Sequence, residues 1–437
     1  MQRTRTTRRA TIALGTTLAL AAPLTLAGTA QAADVADPAA VTAPDATLSA
    51  TVADAARTAQ RDLAQARTLA QGPGRPGHPG RPGGPELDAA LEDLVADGAI
   101  AVTARVETAS GTWSGAAGTR EREGRAPART HDRFRVASNT KPMVATLVMQ
   151  EVEKGTWTLD TPVDDVLPGV MPEGVTIEQL LSHRSGAPTA TDWILASRVT
   201  DPSSFDEVFA VMGQEVTDAD HVEALQSAPW TNEPGAGFSY SNAGYVVLGM
   251  MLEEVTGRSV ESLLRHRVFG PAGMRQSAYP DDPGAWGPFL HEAAYTGPEG
   301  AGWYDLDHWD PSLFASAGAV TSTTEDLADF NQALLTGRLV AAETVADMVE
   351  PRTVDQELFP DYGLGVYRVP DPCLPGEWLY GHDGASYGTQ SINLASPDGE
   401  RQLTIGITGR DLAYPYYTDE PLYDPTNLMV LLMQETC

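Results

Sequence analysis

The sequence predicts an α+β fold, with one antiparallel sheet assembled from both ends of the chain, helices flanking it, and an all-helical region inserted between. Three observations predict it. Strand patterns occur early, at 100–106 and again beyond a Ser110-Gly111 turn; they return late, at 363–369, 378–383, 391–395 and 403–408; and the stretch from Ser138 to about Gly337 reads mostly as helices and long loops. Strands gathered from two ends around a helical insertion leave a cleft between the layers.

Residues 1–32 have the features of an export leader: a basic start (Arg3, Arg5, Arg8, Arg9), an apolar stretch from Ala10 to Ala27, and Ala30-Gln31-Ala32 as a cleavage site, so the mature chain is expected near Ala33. Thr7-Arg8-Arg9 is only a partial twin-arginine signal. Residues 33–85 offer little to build a core from, being first Ala-rich and then Pro/Gly-rich, and are expected to be a disordered spacer. The folded domain is expected over 86–437. It opens with an amphipathic helix (Leu87, Leu91, Leu94, Val95) that passes through Asp97-Gly98 into a hairpin. A strand-like run at 133–137 precedes Ser138, and Met143, Val144, Leu147, Val148 and Val152 then recur at helical spacing. Near the end, Ser396-Pro397-Asp398-Gly399 is a turn joining the last two strands, and 427–434 is a closing helix.

The formal charge of −30 becomes −34 once the four arginines of the leader are removed. Such a field repels phosphate backbones and anionic membranes, which argues against nucleic acid and lipid as partners. After the leader no stretch is long and apolar enough to span a bilayer, and no cysteine stands at its end to carry a lipid. The expectation is a soluble, exported monomer without a membrane anchor, acting on a small molecule or peptide. The only two cysteines, Cys373 and Cys437, are expected to pair as a disulfide in an oxidising compartment.

Ser138-Asn139-Thr140-Lys141 places a hydroxyl and an amine one helical turn apart. A serine hydroxyl needs a base, and a lysine serves only if its surroundings lower its pKa. The chain holds just two lysines, Lys141 and Lys154, among 29 cationic side chains. Where arginine is the default cation, a lysine points to work that guanidinium, which cannot lose its proton, could not do. Two further stretches carry polar groups suited to such a site. Tyr240 and Asn242 sit just before an apolar helix, where a phenol can relay a proton and an amide can orient a lysine or a carbonyl. On a late strand, His382 could add positive potential, and Gly384 could let a substrate backbone lie close.

In this order, Ser-x-x-Lys, Tyr-x-Asn and His-x-Gly resemble the serine beta-lactamase and D-alanyl-D-alanine carboxypeptidase family, over about Glu86 to Cys437. The run Leu180-Leu181-Ser182-His183, Ser316-Ala317-Gly318 and Tyr362-Gly363-Leu364-Gly365 share in the resemblance. It implies an α/β sandwich of the beta-lactamase/transpeptidase type and no cofactor. It also implies Ser138 as nucleophile, Lys141 as base, Tyr240 as proton relay and Asn242 as a lysine and substrate contact. His382 stands where relatives carry the lysine of a Lys-Thr-Gly triad. The oxyanion hole would be the N–H groups of Ser138 and Ala385. The implied activity is of the D-alanyl-D-alanine carboxypeptidase or beta-lactamase type. Tyr367, Asp383 and Ala385 depart from the residues with which relatives bind a terminal carboxylate, and Arg368 should face away by strand alternation. Asp383 would repel a carboxylate if it faces the cleft, and is otherwise a solvated outward residue. An ester, an amide or a peptide with an amino group is therefore the expected substrate, with an esterase or a D-amino-acid amidase or aminopeptidase as the alternative and a penicillin-binding sensor without turnover as a non-enzymatic one.

Gly384-Ala385-Ser386-Tyr387-Gly388 also matches the Gly-x-Ser-x-Gly elbow of α/β hydrolases, but that mechanism needs a histidine after the serine, and His382 is the last. His308 among Asp305, Asp307 and Asp310 lacks metal-ligand spacing, so no metal is expected. His183 is expected to be a packed histidine.

Overall fold

The structure, a computed structural model, describes residues 61, 65 and 82–437, apart from 202–203, 285–286, 298–301, 355–358, 360 and 415–420. The leader expected at 1–32 and most of the spacer expected at 33–85 lie outside the described residues.

Helix α1 (Pro85–Asp97) starts on a proline, which presets the first helical φ, and buries Leu87, Leu91 and Leu94. Strands β1 (Ala101–Thr108) and β2 (Gly111–Gly118) form the early hairpin. The short β3 (Phe134–Arg135) then delivers the chain to helix α2 (Thr140–Glu153). Beyond it lie helix α3 (Asn242–Thr256), the small strands β4 (Ala293–Tyr295), β5 (Trp303–Asp305) and β6 (Thr321–Ser322), and helix α4 (Thr324–Leu335). Six more strands follow: β7 (Asp361–Tyr362), β8 (Tyr367–Pro370), β9 (Trp378–Ala385), β10 (Thr389–Ala395), β11 (Gln402–Thr408) and β12 (Arg410–Asp411). Helix α5 (Thr426–Glu435) closes the chain.

The main sheet runs β2-β1-β11-β10-β9-β8-β7, so the first hairpin pairs with the late strands, as the two-ended pattern predicts. Alternation assigns its faces. Ile392, Leu394, Leu403, Ile405 and Ile407 pack with Leu87, Leu91, Leu428 and Leu432 beneath the two terminal helices. The other face meets the inserted region: Asn393 donates to the Leu327 carbonyl of α4, and a β-carbon at Gly406 would strike the Phe134 ring at 2.6 Å. That region has its own core, in which Met143, Val144, Leu147 and Val148 of α2 pack with Tyr245 and Leu248 of α3.

One expected strand divides. Residues 363–366 are a tight turn between β7 and β8 and only 367–369 are strand, because a β-carbon at Gly363 would lie 2.2 Å from the Met348 carbonyl and Gly365 holds φ +83°. The expected disulfide joins Cys373 to Cys437, closing a loop with a sequence separation of 64. On the chain-entropy account such closure contributes about 4 kcal/mol. Among the described residues no helix is long and apolar enough to cross a membrane.

Candidate active site

Ser138 lies in a single 3-10 turn, Ala137–Asn139, between β3 and α2. The turn is held from both layers. Val136 donates to the Val320 carbonyl at 3.0 Å, and Ser391 of β10 bridges the Val136 carbonyl at 2.9 Å and the Asn139 amide at 2.8 Å. Ala137 is fixed at φ 47°, a left-handed conformation that a residue with a β-carbon adopts at a cost of about 1–3 kcal/mol. The nucleophile candidate therefore stands on over-determined backbone and is itself partly exposed.

Lys141, one turn on, is fully buried. Its Nζ lies 3.0 Å from Ser138 Oγ, 2.8 Å from Asn242 Oδ1 and 2.9 Å from the Ala317 carbonyl. Burial pushes the amine well below its ordinary pKa, while the charge of Asp383 works in the opposite direction. The three partners suit the neutral form: two N–H groups donate to the two carbonyl oxygens, and the lone pair is left for the Ser138 hydroxyl proton.

Tyr240 is hydrogen-bonded to Ser138, and burial holds its phenol well above the ordinary range, so it stays protonated. Its ring is packed between the His183 ring at 4.2 Å and the Phe359 ring at 4.7 Å. The segment after Leu181 grips this loop. His183, at φ 56°, accepts the Ser239 N–H through its carbonyl at 2.7 Å and the Ser241 N–H through Nδ1 at 3.1 Å. Ser241 then caps α3, accepting from the Gly244 N–H at 3.1 Å, and Asn242 follows on the first turn facing Lys141. His183 is the packed histidine expected, and its task is to place Tyr240.

Strand β9 borders Ser138 on the other side. A β-carbon at Gly384 would lie 2.2 Å from the Val136 carbonyl and 3.0 Å from the Ser138 nitrogen. Gly384 is thus required for close packing of the protein on itself, a correction to the expected substrate contact. Strand β8 pairs with β9 only as far as Gly381, so the later half of β9 is an open edge. Because the Ser386 N–H bonds the Thr389 carbonyl at 2.9 Å, the preceding pair, Ala385 with Gln390, is the non-hydrogen-bonded kind. The Ala385 N–H therefore points away from β10, toward that edge.

Three other expected contacts are corrected. His382 carries no positive potential: it is buried, hydrogen-bonded through Nε2 to the Tyr362 hydroxyl at 3.0 Å and through Nδ1 to the Asp383 carbonyl, and burial with the nearby Lys141 lowers its pKa to about 3. Asp383 is opposite Ile392 in register, on the face of the terminal helices, yet it is 4% exposed, so it is neither a cleft surface nor a solvated carboxylate. Of the two sides left open by the sequence it takes the outward one, where the cover of the neighbouring core excludes water. Tyr367 is 1% exposed among Phe359, Tyr362 and His382, behind the site. Arg368 turns away as expected, pairing with Asp361 at 2.9 Å and covering the Trp378 ring at 4.0 Å. The side chains with surface at the site are thus Ser138, Tyr240, Asn242 and Ala385, with Lys141 directly beneath. The Ala317 carbonyl was missed as a lysine partner, since a backbone acceptor leaves no side-chain signal.

A serine beside a buried amine and a protonated phenol, in a cleft between an antiparallel sheet and a helical layer, is the arrangement that the resemblance to penicillin-binding proteins implies. The chain belongs to the Beta-lactamase family, whose model matches residues 87–413. It is 29% identical over 253 residues to Penicillin-binding protein 4* of Bacillus subtilis, covering 55% of this chain and 53% of that protein. It is 35% identical over 202 residues to Esterase EstB of Burkholderia gladioli, covering 44% of this chain and 49% of that protein. The chain thus spans about half the length of these curated relatives. A D-stereospecific amidohydrolase from a Streptomyces species superposes with a TM-score of 0.66 at 29% identity, covering 75% of this chain and 95% of that one.

Proposed function

We propose that this protein hydrolyses amides or esters through an acyl-enzyme on Ser138, with Lys141 as the base. The observation that carries the reading is the placement of Lys141 Nζ, 3.0 Å from Ser138 Oγ and satisfied on its other side by two carbonyl oxygens. Ser138 Oγ attacks the substrate carbonyl carbon while its proton passes to the Lys141 lone pair. The oxyanion is met by the N–H groups of Ser138 and Ala385. Collapse expels the amine or alcohol, which takes its proton by way of Tyr240; water then repeats the attack on the ester and frees Ser138.

The substrate we propose carries no free carboxylate next to the scissile bond. Ala385 brings neither a cation nor a hydroxyl, Tyr367 brings no cation and its hydroxyl is buried behind the site, Arg368 is committed to Asp361 on the far side, and the buried charge of Asp383 acts on the Lys141 region. The relatives named for an esterase and a D-stereospecific amidohydrolase support this class over a carboxypeptidase. The test compares an acyl-D-Ala-D-Ala peptide with the matching D-Ala amide and methyl ester, with the Ser138 adduct followed by mass spectrometry. Faster turnover of amide and ester is expected; efficient release of D-alanine with neglect of the other two overturns the reading, and a stoichiometric burst without turnover shows a sensor instead. Export as a soluble monomer, with the leader removed near Ala33, completes the proposal; the N-terminus and mass of the protein recovered from culture medium test it.

A further inference from the structure

The Gly-x-Ser-x-Gly match at 384–388 plays no part as a nucleophile, yet it is built around a buried carboxylate. Glu292, just ahead of β4, accepts hydrogen bonds on Oε1 from the Ser386 hydroxyl at 2.7 Å and from the Thr389 hydroxyl. Its Oε2 accepts from the Trp309 indole N–H, with Arg135 Nε at 3.4 Å. Arg135 in turn covers the Trp309 ring at 4.2 Å. The side chains of Arg135 and Glu292 are 3% and 1% exposed. Removing one member of such a buried pair leaves an uncompensated charge, so the cluster is costly unless complete. Ser386 Oγ also accepts from the N–H groups of Gly388 and Thr389, at 3.3 and 3.0 Å. Gly388 has no room for a side chain, since its β-carbon would lie 2.6 Å from that of Glu292.

We propose that Glu292 is a positioning residue for the oxyanion site: through Ser386 and Thr389 it clamps the turn that follows Ala385, and so holds the Ala385 N–H toward Ser138. The clamp joins β3, which leads directly into Ser138, to the end of β9 through Arg135, so both proposed donors of the oxyanion site are tied to one carboxylate. This inference rests on the Ser138 acyl-enzyme reading.

The test uses Glu292→Gln and Ser386→Ala in the full chain, assayed with a p-nitrophenyl ester and with phenylboronic acid, which forms a tetrahedral anionic adduct on an active serine. Glutamine keeps the shape but cannot serve all four donors; alanine removes one strut and leaves the pair of charges intact. Because a mispositioned donor loses part of the 10²–10³-fold that a deleted one loses, kcat should fall about tenfold or more in either variant. KM should stay within about twofold, and boronate affinity should fall by the same factor as kcat. If Glu292→Gln does not fold, Ser386→Ala carries the test, with its thermal midpoint near that of the parent. Folded variants with unchanged kcat and boronate affinity, or a change in KM alone, overturn the inference while leaving Ser138 in place. A parent protein that binds no boronate and takes no fluorophosphonate on Ser138 overturns both this inference and the reading beneath it.

Discussion

The two sides of the cleft are built by different rules. On the helical side, the turns leading into α2 and α3 and the first turns of those helices bring together the side chains proposed to carry the chemistry, Ser138, Lys141, Tyr240 and Asn242, tied by hydrogen bonds. On the strand side, β9 contributes backbone. Gly384 is there because no side chain fits, the Ala385 N–H is aimed by register, and His382, Asp383 and Tyr367 lie behind the surface. A helix start can point several side chains at one spot, because residues a turn apart share a face; an edge strand alternates and offers its free N–H groups instead. Reactivity therefore belongs to residue identity on one side and to placement on the other.

Substitutions can break this contrast, starting with the helical side. Ser138→Ala should lower kcat/KM for a chromogenic ester by about 10⁴-fold or more and abolish covalent labelling; a labelled variant would put the nucleophile elsewhere. Lys141→Arg keeps a cation but removes the lone pair, and should lower kcat by about 10³-fold. In the parent, kcat/KM should fall as pH falls through the lowered lysine pKa, because protonation consumes the base. A pH profile of the same shape in Lys141→Arg would dissociate that limb from the lysine.

On the strand side the effect should be on stability. The His382 pKa lies at about 3 in the folded chain, below its ordinary 6.5, so between those values the unfolded chain binds a proton that the folded one does not. Stability from this group is present above about pH 6.5 and is lost as pH falls toward 3. Urea unfolding of the parent and of His382→Gln should show the parent's advantage shrinking by about 3 kcal/mol from pH 7 to pH 4. A pH-independent difference would mean that the His382 pKa is the same in the folded and unfolded chain. The smallest effect is expected from Arg368→Ala, whose activity on an acyl-D-Ala-D-Ala peptide should stay within about twofold of the parent, as for an ordinary surface change. A marked rise in KM there would bring Arg368 back to the cleft.

Much of the helical side was legible in the sequence. Ser138 and Lys141 announce themselves by spacing and by the scarcity of lysine, and Tyr240 and Asn242 by their place before an apolar helix. The strand side was legible only as a location. Alternation correctly turned Arg368 away and left Asp383 open between two sides, but whether an outward residue meets water or another layer depends on what covers the sheet. The same limit hid the clamp at Glu292, whose partners come from three separate stretches of chain and share no local pattern.

By itself the sequence determined the two-ended sheet, the helical insertion, the cysteine pair and which polar residues to look for at the cleft, because each rests on periodicity, composition or residue chemistry within a short span. Tertiary structure alone decided the neutrality of His382, the burial of Asp383 and Tyr367, the direction of the Ala385 N–H and the role of Ser386. Those properties depend on desolvation and strand register, which arise only when distant segments pack together.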